Sequence, residues 1–410
     1  MKNNTAPVTA KRRFVILDFL RGIALLGIGL ANFPEFALYT FQKSEVVEAM
    51  PTAGIDYVVK FLQYTFIDGK FYTLFSLLFG IGFSIIISKT PEKGDKGLAL
   101  FYRRMIFLFL AGLFHLLFLW AGDILVLYAS LGLLLPLFRN VSNKKLLVYA
   151  GILLLFPVVI DALIVLSGYR LNLAAPAIDA SVYFQQKAGI TDDNFGIWLL
   201  EAETCRDVLK FNWQGSFIRM QEFIEGNRIC KVGGLFLLGL YIGRNRIYAN
   251  LEENMPLLKN IRFYGFLIAL PLSVLYAWNA VHDRPFGMIP TAVLYAVSVF
   301  PLSFAYISAI CLWYLKKKER LLFHVLAAPG RMALTNYIGQ SVSGMFIFYG
   351  IGLGLGATIG LIYVEIIAAG VFFIQVAGSY VWLHYFQYGL LEWIWRMLTC
   401  GKWLKIMKQD

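Results

Sequence analysis

Long apolar runs alternate with short segments rich in Lys and Arg along most of this chain. An apolar run of about 20 residues is long enough for a helix to cross a bilayer. The pattern predicts about ten membrane spans, at Ile16–Phe36, Phe71–Ile87, Met105–Trp120, Ile124–Phe138, Leu146–Ser167, Val232–Ile242, Ile261–Ala280, Pro290–Leu315, Arg331–Gly354 and Thr358–Phe386. The predicted fold class is therefore all-α, a polytopic bundle of transmembrane helices with amphipathic helices on its surface.

Three stretches depart from simple alternation of spans and short loops. The run Tyr57–Ile87 is too long for one crossing, and Asp68-Gly69-Lys70 predicts a break inside it. Residues 169–228 are the longest hydrophilic segment and are predicted to be extracytoplasmic, with amphipathic helices at 197–200 and 217–224. Residues 387–410 form a Trp-rich basic tail at the inner interface. These three stretches and the predicted spans belong to one integral membrane domain, residues 1–410.

Composition and charge support a membrane protein and predict its orientation. The chain has 410 residues, of which 59% are hydrophobic and 15% charged, and this excludes an ordinary soluble protein. The net charge of +12 lies mainly in short loops such as 11–13, 103–104 and 316–320, so it predicts topology and not nucleic-acid binding. Both termini are predicted to be cytoplasmic.

The four cysteines give no sign of a metal site. Their positions lack the spacing of metal ligands, and only a disulfide between Cys205 and Cys230 is conceivable. The sequence therefore predicts neither a metal nor a bound cofactor.

The first span carries a charged pair close to its start. Asp18 and Arg21 are three residues apart, and charges inside an apolar span are unfavourable unless they pair and serve a purpose. At about 100° per residue, Asp18, Arg21, Asn32 and Glu35 share one helical stripe. An acid-base pair is foreign to a signal peptide, so the span is predicted to be retained and to carry a functional site.

His115 lies toward the outer end of the third span, and Asp123 follows after a turn at Gly122. A carboxylate that fixes the tautomer of a buried imidazole is what a general base needs. The alternative is an interfacial histidine bonded to a backbone carbonyl, and the residues leave both interpretations open. His282, His324 and His384 are predicted to be structural.

The ninth span carries a second polar stripe. Asn336, Gln340 and Ser343 share one face, and Arg331 precedes them at a helix start, which suits a phosphate or carboxylate group. An interfacial anchor is an equally good explanation of Arg331. Glu365, in the tenth span, is predicted to face the bundle or a wet cavity.

The order of these motifs resembles the YeiB-like family (domain of unknown function 418), a bacterial membrane family of unknown function. The resemblance implies a multi-pass protein of the bacterial cytoplasmic (inner) membrane and covers nearly the whole chain. The segments that carry it are 17–22 with Asn32, 70–80, 112–128 with His115, Asp123 and Tyr128, 329–341, and 389–396.

The opening is also similar to the first span of transmembrane acyltransferases, which include heparan-alpha-glucosaminide N-acetyltransferase. That similarity implies transfer of an acyl group from cytoplasmic acyl-CoA, such as acetyl-CoA, to a hydroxyl or amine outside. Many O-acetylating members have a histidine where this chain has Asn32. The catalytic base is therefore assigned to His115, with Asp123 as its partner.

The leading hypothesis is an inner-membrane acyltransferase with Asp18, Arg21 and Arg331 on the donor side. Its other predicted substrate-binding residues are Asn32, Asp68, Tyr128, Asn336 and Gln340. The predicted partners are the lipid bilayer, an acyl-CoA donor and a glycan or small-molecule acceptor; a homo-oligomer is left open.

Two alternatives come from other functional classes. One is a transporter for a small solute or peptide that uses the same buried charges, and the other is a membrane scaffold without turnover. The enzyme hypothesis predicts a tunnel that joins both faces at His115. A transporter would show two bundles around a central cavity.

Overall fold

The computed structural model describes residues 14–88, 95–317 and 320–408. Within these ranges the chain is helical, and its extended pairing is limited to an isolated bridge between Phe386 and Met407. The predicted basic cluster at 11–13 and part of the cluster at 316–320 lie outside the described residues. The helices are α1 Val15–Phe36, α2 Ser44–Glu48, α3 Ala53–Phe66, α4 Lys70–Ser88, α5 Asp95–Phe114, α6 Leu125–Leu134, α7 Asn143–Leu166, α8 Ala175–Ala188, α9 Cys205–Glu225, α10 Arg228–Arg244, α11 Met255–Tyr264, α12 Leu270–Val281, α13 Met288–Lys317, α14 Leu321–Arg331, α15 Ala333–Phe348, α16 Leu361–Tyr385 and α17 Leu390–Cys400.

The described residues contain seven helical segments that are long and apolar enough to cross a membrane. Three further predicted spans are present as shorter helices, α6, α10 and α15. The prediction of a polytopic all-α membrane protein is confirmed. The seven long segments are Val15–Phe36, Ala53–Ile87, Gly97–Leu119, Asn143–Leu166, Met255–Val281, Met288–Lys317 and Leu361–Tyr385.

The predicted break in the second apolar run is present. Helix α3 ends at Phe66 and α4 begins at Lys70, with Gly69 between them at a φ of +73° that favours glycine. The buried Lys70 ammonium donates to the carbonyl of Tyr64 at 2.7 Å. This bond ties the two helices together where the chain changes direction.

Glycines bring α1 and α14 into unusually close contact. A Cβ on Gly22 would lie 2.0 Å from the carbonyl oxygen of Leu326, and one on Gly330 would lie 1.8 Å from that of Asp18. Small residues allow such close backbone approach between membrane helices. The glycines of two signature motifs, distant in sequence, thus pack directly against one another.

Two local predictions are wrong, and the two segments contact each other. Residues 197–200 form turns instead of a helix, and the predicted span 331–354 is interrupted at Met332 and ends at Phe348. The Gly350 amide donates to the Leu199 carbonyl at 2.9 Å. Because the backbone of each segment bonds to the other, neither continues as a regular helix there.

The predicted helix at 217–224 is confirmed within α9. Its burial differs from that of a helix lying on a membrane, because Arg219 is buried and points into the bundle. The disulfide between Cys205 and Cys230 is not formed, and all four cysteines are free.

Candidate functional site: a charged cavity and a buried relay

A cavity of about 2240 Å³ runs along α1 through the bundle. Asp18, Arg21, Asn32 and Glu35 all line it, which confirms the stripe predicted on this helix. Asp18 and Glu35 are separated by roughly 25 Å along the helix at 1.5 Å per residue. The cavity therefore reaches from the end where α1 begins, called the N-terminal face here, to the opposite end, called the far face.

Arginines crowd the N-terminal end of the cavity. Arg21 donates to Asp18 at 2.8 Å, so the predicted pair is formed; the side chains are 27% and 4% exposed, respectively. Arg331 lines the same end, as do Arg104 and Arg396. Arg104 and Arg396 were not predicted to belong to a site. Arg104 was interpreted only as a topology signal, although it directly precedes a span, and Arg396 ends a signature motif.

Ion pairs surround the far end of the cavity. Arg219 pairs with Glu222 and lies 3.7 Å from Glu35. Burial lowers the pKa of Arg219, but these two carboxylates raise it more, so its net pKa is above the ordinary value and the guanidinium stays charged. Lys231 lies over the Tyr295 ring, 3.8 Å from its centroid.

A fully buried chain of polar side chains lies beside the cavity. His115 Nδ1 contacts Asp123 Oδ1 at 2.9 Å, and His115 Nε2 contacts Ser341 Oγ at 2.8 Å. Because the carboxylate accepts from Nδ1–H, Nε2 is left to accept from the Ser341 hydroxyl. The three residues have the connectivity of a nucleophile, a base and an orienting acid.

The local backbone explains how the chain builds this relay. His115 opens a π-helical turn, His115–Leu119, at the end of α5, and such turns often occur at functional sites. Asp123 Oδ2 accepts the Val126 amide at 2.7 Å and so caps α6. Ser341 was quoted within a signature motif but was given no role, because no residue near it in sequence marks it as a histidine partner.

The relay does not open into the cavity. His115, Asp123 and Ser341 are buried, and none of them lines the cavity wall. Tyr337 does line the wall, and its ring lies 5.1 Å from the His115 ring. The predicted tunnel therefore passes one side chain away from His115 instead of reaching it.

Most of the predicted substrate-binding residues line the cavity, but two do not. Asn336 Nδ2 donates to Ser379 Oγ at 2.9 Å, and Gln340 Nε2 donates to the Leu25 carbonyl at 3.1 Å. These two side chains join α15 to α16 and α1, where they are surrounded by protein. The six that line the cavity are Asp18, Arg21, Asn32, Asp68, Tyr128 and Arg331.

Glu365 lies where it was predicted, because it accepts a hydrogen bond from Gln63 of α3 and so faces the bundle. His282, His324 and His384 are exposed, and none of them lines the cavity.

The fold and the cavity define a polytopic helical membrane protein with charged groups inside its bundle. Residues 242–402 match the family described as "Protein of unknown function (DUF418)". The chain is 28% identical to the uncharacterized protein YxaH of Bacillus subtilis (strain 168), over 98% of each chain. It is 26% identical to the uncharacterized protein YeiB of Escherichia coli (strain K12), over 94% of this chain and 96% of that one. The chain is thus a relative of YeiB, and the resemblance predicted from its motifs is confirmed. No solved structure matches it.

Proposed function

We propose that this protein is a membrane acyltransferase that uses Asp123, His115 and Ser341 to move an acyl group from acyl-CoA to a hydroxyl or amine. The observation that carries the proposal is a hydrogen-bonded acid, base and hydroxyl one side chain away from a cavity that reaches both faces. On this proposal the N-terminal face takes the donor and the far face takes the acceptor.

One face of α15 connects the proposed donor site to the relay. Leu334 and Tyr337 line the cavity at successive turns of α15, and Ser341 follows one turn later. Arg331, the last residue of α14, lines the cavity just before this face begins. A donor held by its charged end at Arg331 would extend its acyl arm along this face toward Ser341. Tyr337 covers the relay and must move aside before the thioester can reach Ser341.

The first half-reaction transfers the acyl group to the protein. His115 Nε2 accepts the Ser341 proton as Ser341 Oγ attacks the thioester carbonyl, the C–S bond breaks, and the protonated imidazole gives its proton to the departing sulfur. Asp123 holds the imidazole in its tautomer and stabilises the imidazolium. The products are a serine ester and a free thiol.

The second half-reaction releases the acyl group. An acceptor hydroxyl or amine attacks the ester carbonyl while His115 takes its proton, and that proton returns to Ser341 Oγ as the ester bond breaks. The far end of the cavity offers groups that suit a polar acceptor: Tyr276 donates to Asp68 at 2.8 Å, and Asn32 lines the same wall.

The test uses purified protein and acetyl-CoA that carries a labelled acetyl group. We expect release of at least one thiol per protein molecule, with label retained on the protein when no acceptor is added. The proposal would be overturned if a monodisperse sample released no thiol and retained no label. Protein with Ser341→Ala is the matched control, because it removes one oxygen from the relay and leaves the cavity lining intact.

The same cavity favours one second candidate, a transporter for a small anionic solute. Cationic side chains line both ends, Arg21 and Arg331 at one and Arg219 and Arg284 at the other. In proteoliposomes a transporter would move solute and leave thioesters uncleaved. Thiol release would therefore separate the two functions.

A further inference from the structure

We infer that Arg21, Arg104 and Arg396, at the N-terminal end of the cavity, form a binding site for a phosphate or diphosphate group. This inference adds to the proposed function, because it identifies the group of the donor that binds at the N-terminal end of the cavity, called the mouth below. It rests on the proposed function only for the identity of the rest of the donor molecule.

Arg104 is held in a fixed orientation by an aromatic residue. Its guanidinium lies over the Trp395 ring, 4.1 Å from the centroid, while the Trp395 indole donates to the Arg104 carbonyl at 3.0 Å. Stacking on one face leaves the N–H groups at the guanidinium edge directed along its plane. A fixed planar fork of this kind suits bidentate contact with phosphate oxygens.

Arg396 completes the same arrangement on α17. Its guanidinium lies over the Tyr388 ring, 4.5 Å from the centroid, and both residues line the cavity. Arg104 is close enough to Arg396 and Arg21 to interact with both electrostatically. All three arginines line the same cavity, and like charges that lie near one another are favourable when an anion lies between them.

The acids at this mouth already have other partners. Asp18 accepts from Arg21 at 2.8 Å. Glu392 accepts the Leu334 and Thr335 amides at 2.7 and 3.1 Å, and the Thr335 hydroxyl at 2.6 Å, so it caps the start of α15. With Arg331 also in the lining, the arginines outnumber these two acids, and the mouth keeps an excess of positive charge.

The primary test measures binding of inorganic diphosphate to the full-length protein in a neutral detergent, at constant ionic strength with chloride as the reference anion. We expect saturable binding and a rise in Tm for the unmodified protein. Arg396→Gln and Arg104→Gln should each weaken binding about 10-fold or more, since each removes a charged hydrogen bond.

Arg103→Gln is the matched control. Arg103 precedes Arg104 on the same helix and carries the same charge, but it points toward the Thr399 carbonyl at 3.4 Å and does not line the cavity. It should bind diphosphate as the unmodified protein does. If Arg104→Gln does not fold, Arg104→Lys keeps the charge without the planar fork, and together with Arg396→Gln it completes the test.

Absence of saturable binding, or equal weakening by Arg103→Gln and Arg396→Gln, would overturn the inference. Two competitors identify the source of the phosphate. Displacement of diphosphate by CoA, but not by micelles that contain phosphatidylglycerol, indicates a soluble ligand; the reverse indicates a lipid headgroup. Diphosphate binding without any thiol release from acetyl-CoA would keep the site and reject the acyl transfer.

Discussion

The protein places two acid-base pairs in very different surroundings. Asp18 and Arg21 meet at 2.8 Å on the cavity wall, and the arginine side chain is 27% exposed. Asp123 and His115 meet at 2.9 Å with neither side chain exposed, and the second imidazole nitrogen contacts Ser341. Both pairs look alike in sequence, as a charge and its partner near the end of a span.

Burial gives the two pairs different capacities. In the cavity pair the arginine is partly exposed and can contact a ligand, so this pair can contribute to binding. The sealed pair has its hydrogen bonds satisfied by protein, so it can pass a proton to or from Ser341 but cannot hold a ligand until Tyr337 moves. We therefore expect substitutions at the cavity to change binding and those at the relay to change turnover.

The largest expected effect is at the relay. His115→Gln keeps a similar size and some hydrogen bonding, so the protein should fold, but it removes the base. Turnover of acetyl-CoA per folded molecule should fall about 10²- to 10⁴-fold. Asp123→Asn should reproduce much of this loss, because it disturbs the tautomer that the carboxylate selects.

Turnover should be unchanged by His282→Gln, which alters an exposed histidine that stacks on Trp278 outside the cavity lining. A monodisperse His115→Gln protein with near-normal turnover would remove the difference between the two pairs. The relay would then be a structural network.

The next effect concerns the packing beneath the cavity pair. In Gly330→Ala the new Cβ would lie 1.8 Å from the Asp18 carbonyl oxygen, so α1 and α14 must separate. Overpacking of this kind lowers the free energy of unfolding by about 1–3 kcal/mol or more. Gly370→Ala on α16 is the control, because its Cβ would meet no atom within 4 Å.

Thermal unfolding in detergent measures both changes. Equal Tm values for the two alanine variants would show that the signature glycines do not set this helix contact.

A smaller effect is expected within the cavity pair itself. Removal of either Asp18 or Arg21 leaves the other charge without its partner in a partly buried site. A double-mutant cycle with Asp18→Ala and Arg21→Ala should give a coupling of about 1–3 kcal/mol in stability. The value should be below the roughly 3–5 kcal/mol of a fully buried pair, since water reaches Arg21. Strictly additive losses would contradict the contact.

The smallest expected effect concerns the orientation of the protein in the membrane, and it is measured on a cysteine that the chain already contains. Cys205 is exposed in the predicted extracytoplasmic segment. In whole cells with a permeabilised outer membrane, an impermeant maleimide should label it, and Cys205→Ser should abolish that signal. Protection of Cys205 until the cells are lysed would reverse the predicted orientation and exchange the proposed donor and acceptor faces.

The fold could be predicted from the sequence because the hydrophobic pattern depends on it directly. The apolar runs predicted the spans, and Gly69 between charged neighbours predicted the break before α4. The 3.6-residue repeat put Asp18 and Glu35 on one cavity-lining stripe. These features depend on residues close together in the chain, so a single sequence contains the information.

The rest of the site depends on contacts between distant segments. Ser341 meets His115 across 226 positions, and Arg104 stacks on Trp395 from another helix. Asn336 and Gln340 were predicted to bind substrate because they share a polar face, but that face packs against α1 and α16. Helical periodicity gives the direction of a side chain and leaves open whether a cavity or another helix lies there.

Trapping of an acyl group on Ser341 tests the proposed relay. The purified protein is mixed with acetyl-CoA without acceptor, quenched with acid and digested, and the peptide that contains Ser341 is weighed by mass spectrometry. We predict the mass of one added acetyl group on Ser341, less of it in His115→Gln, and none in Ser341→Ala. Thiol release from acetyl-CoA with an unmodified Ser341 peptide, at a rate that Ser341→Ala does not change, would contradict the proposed relay.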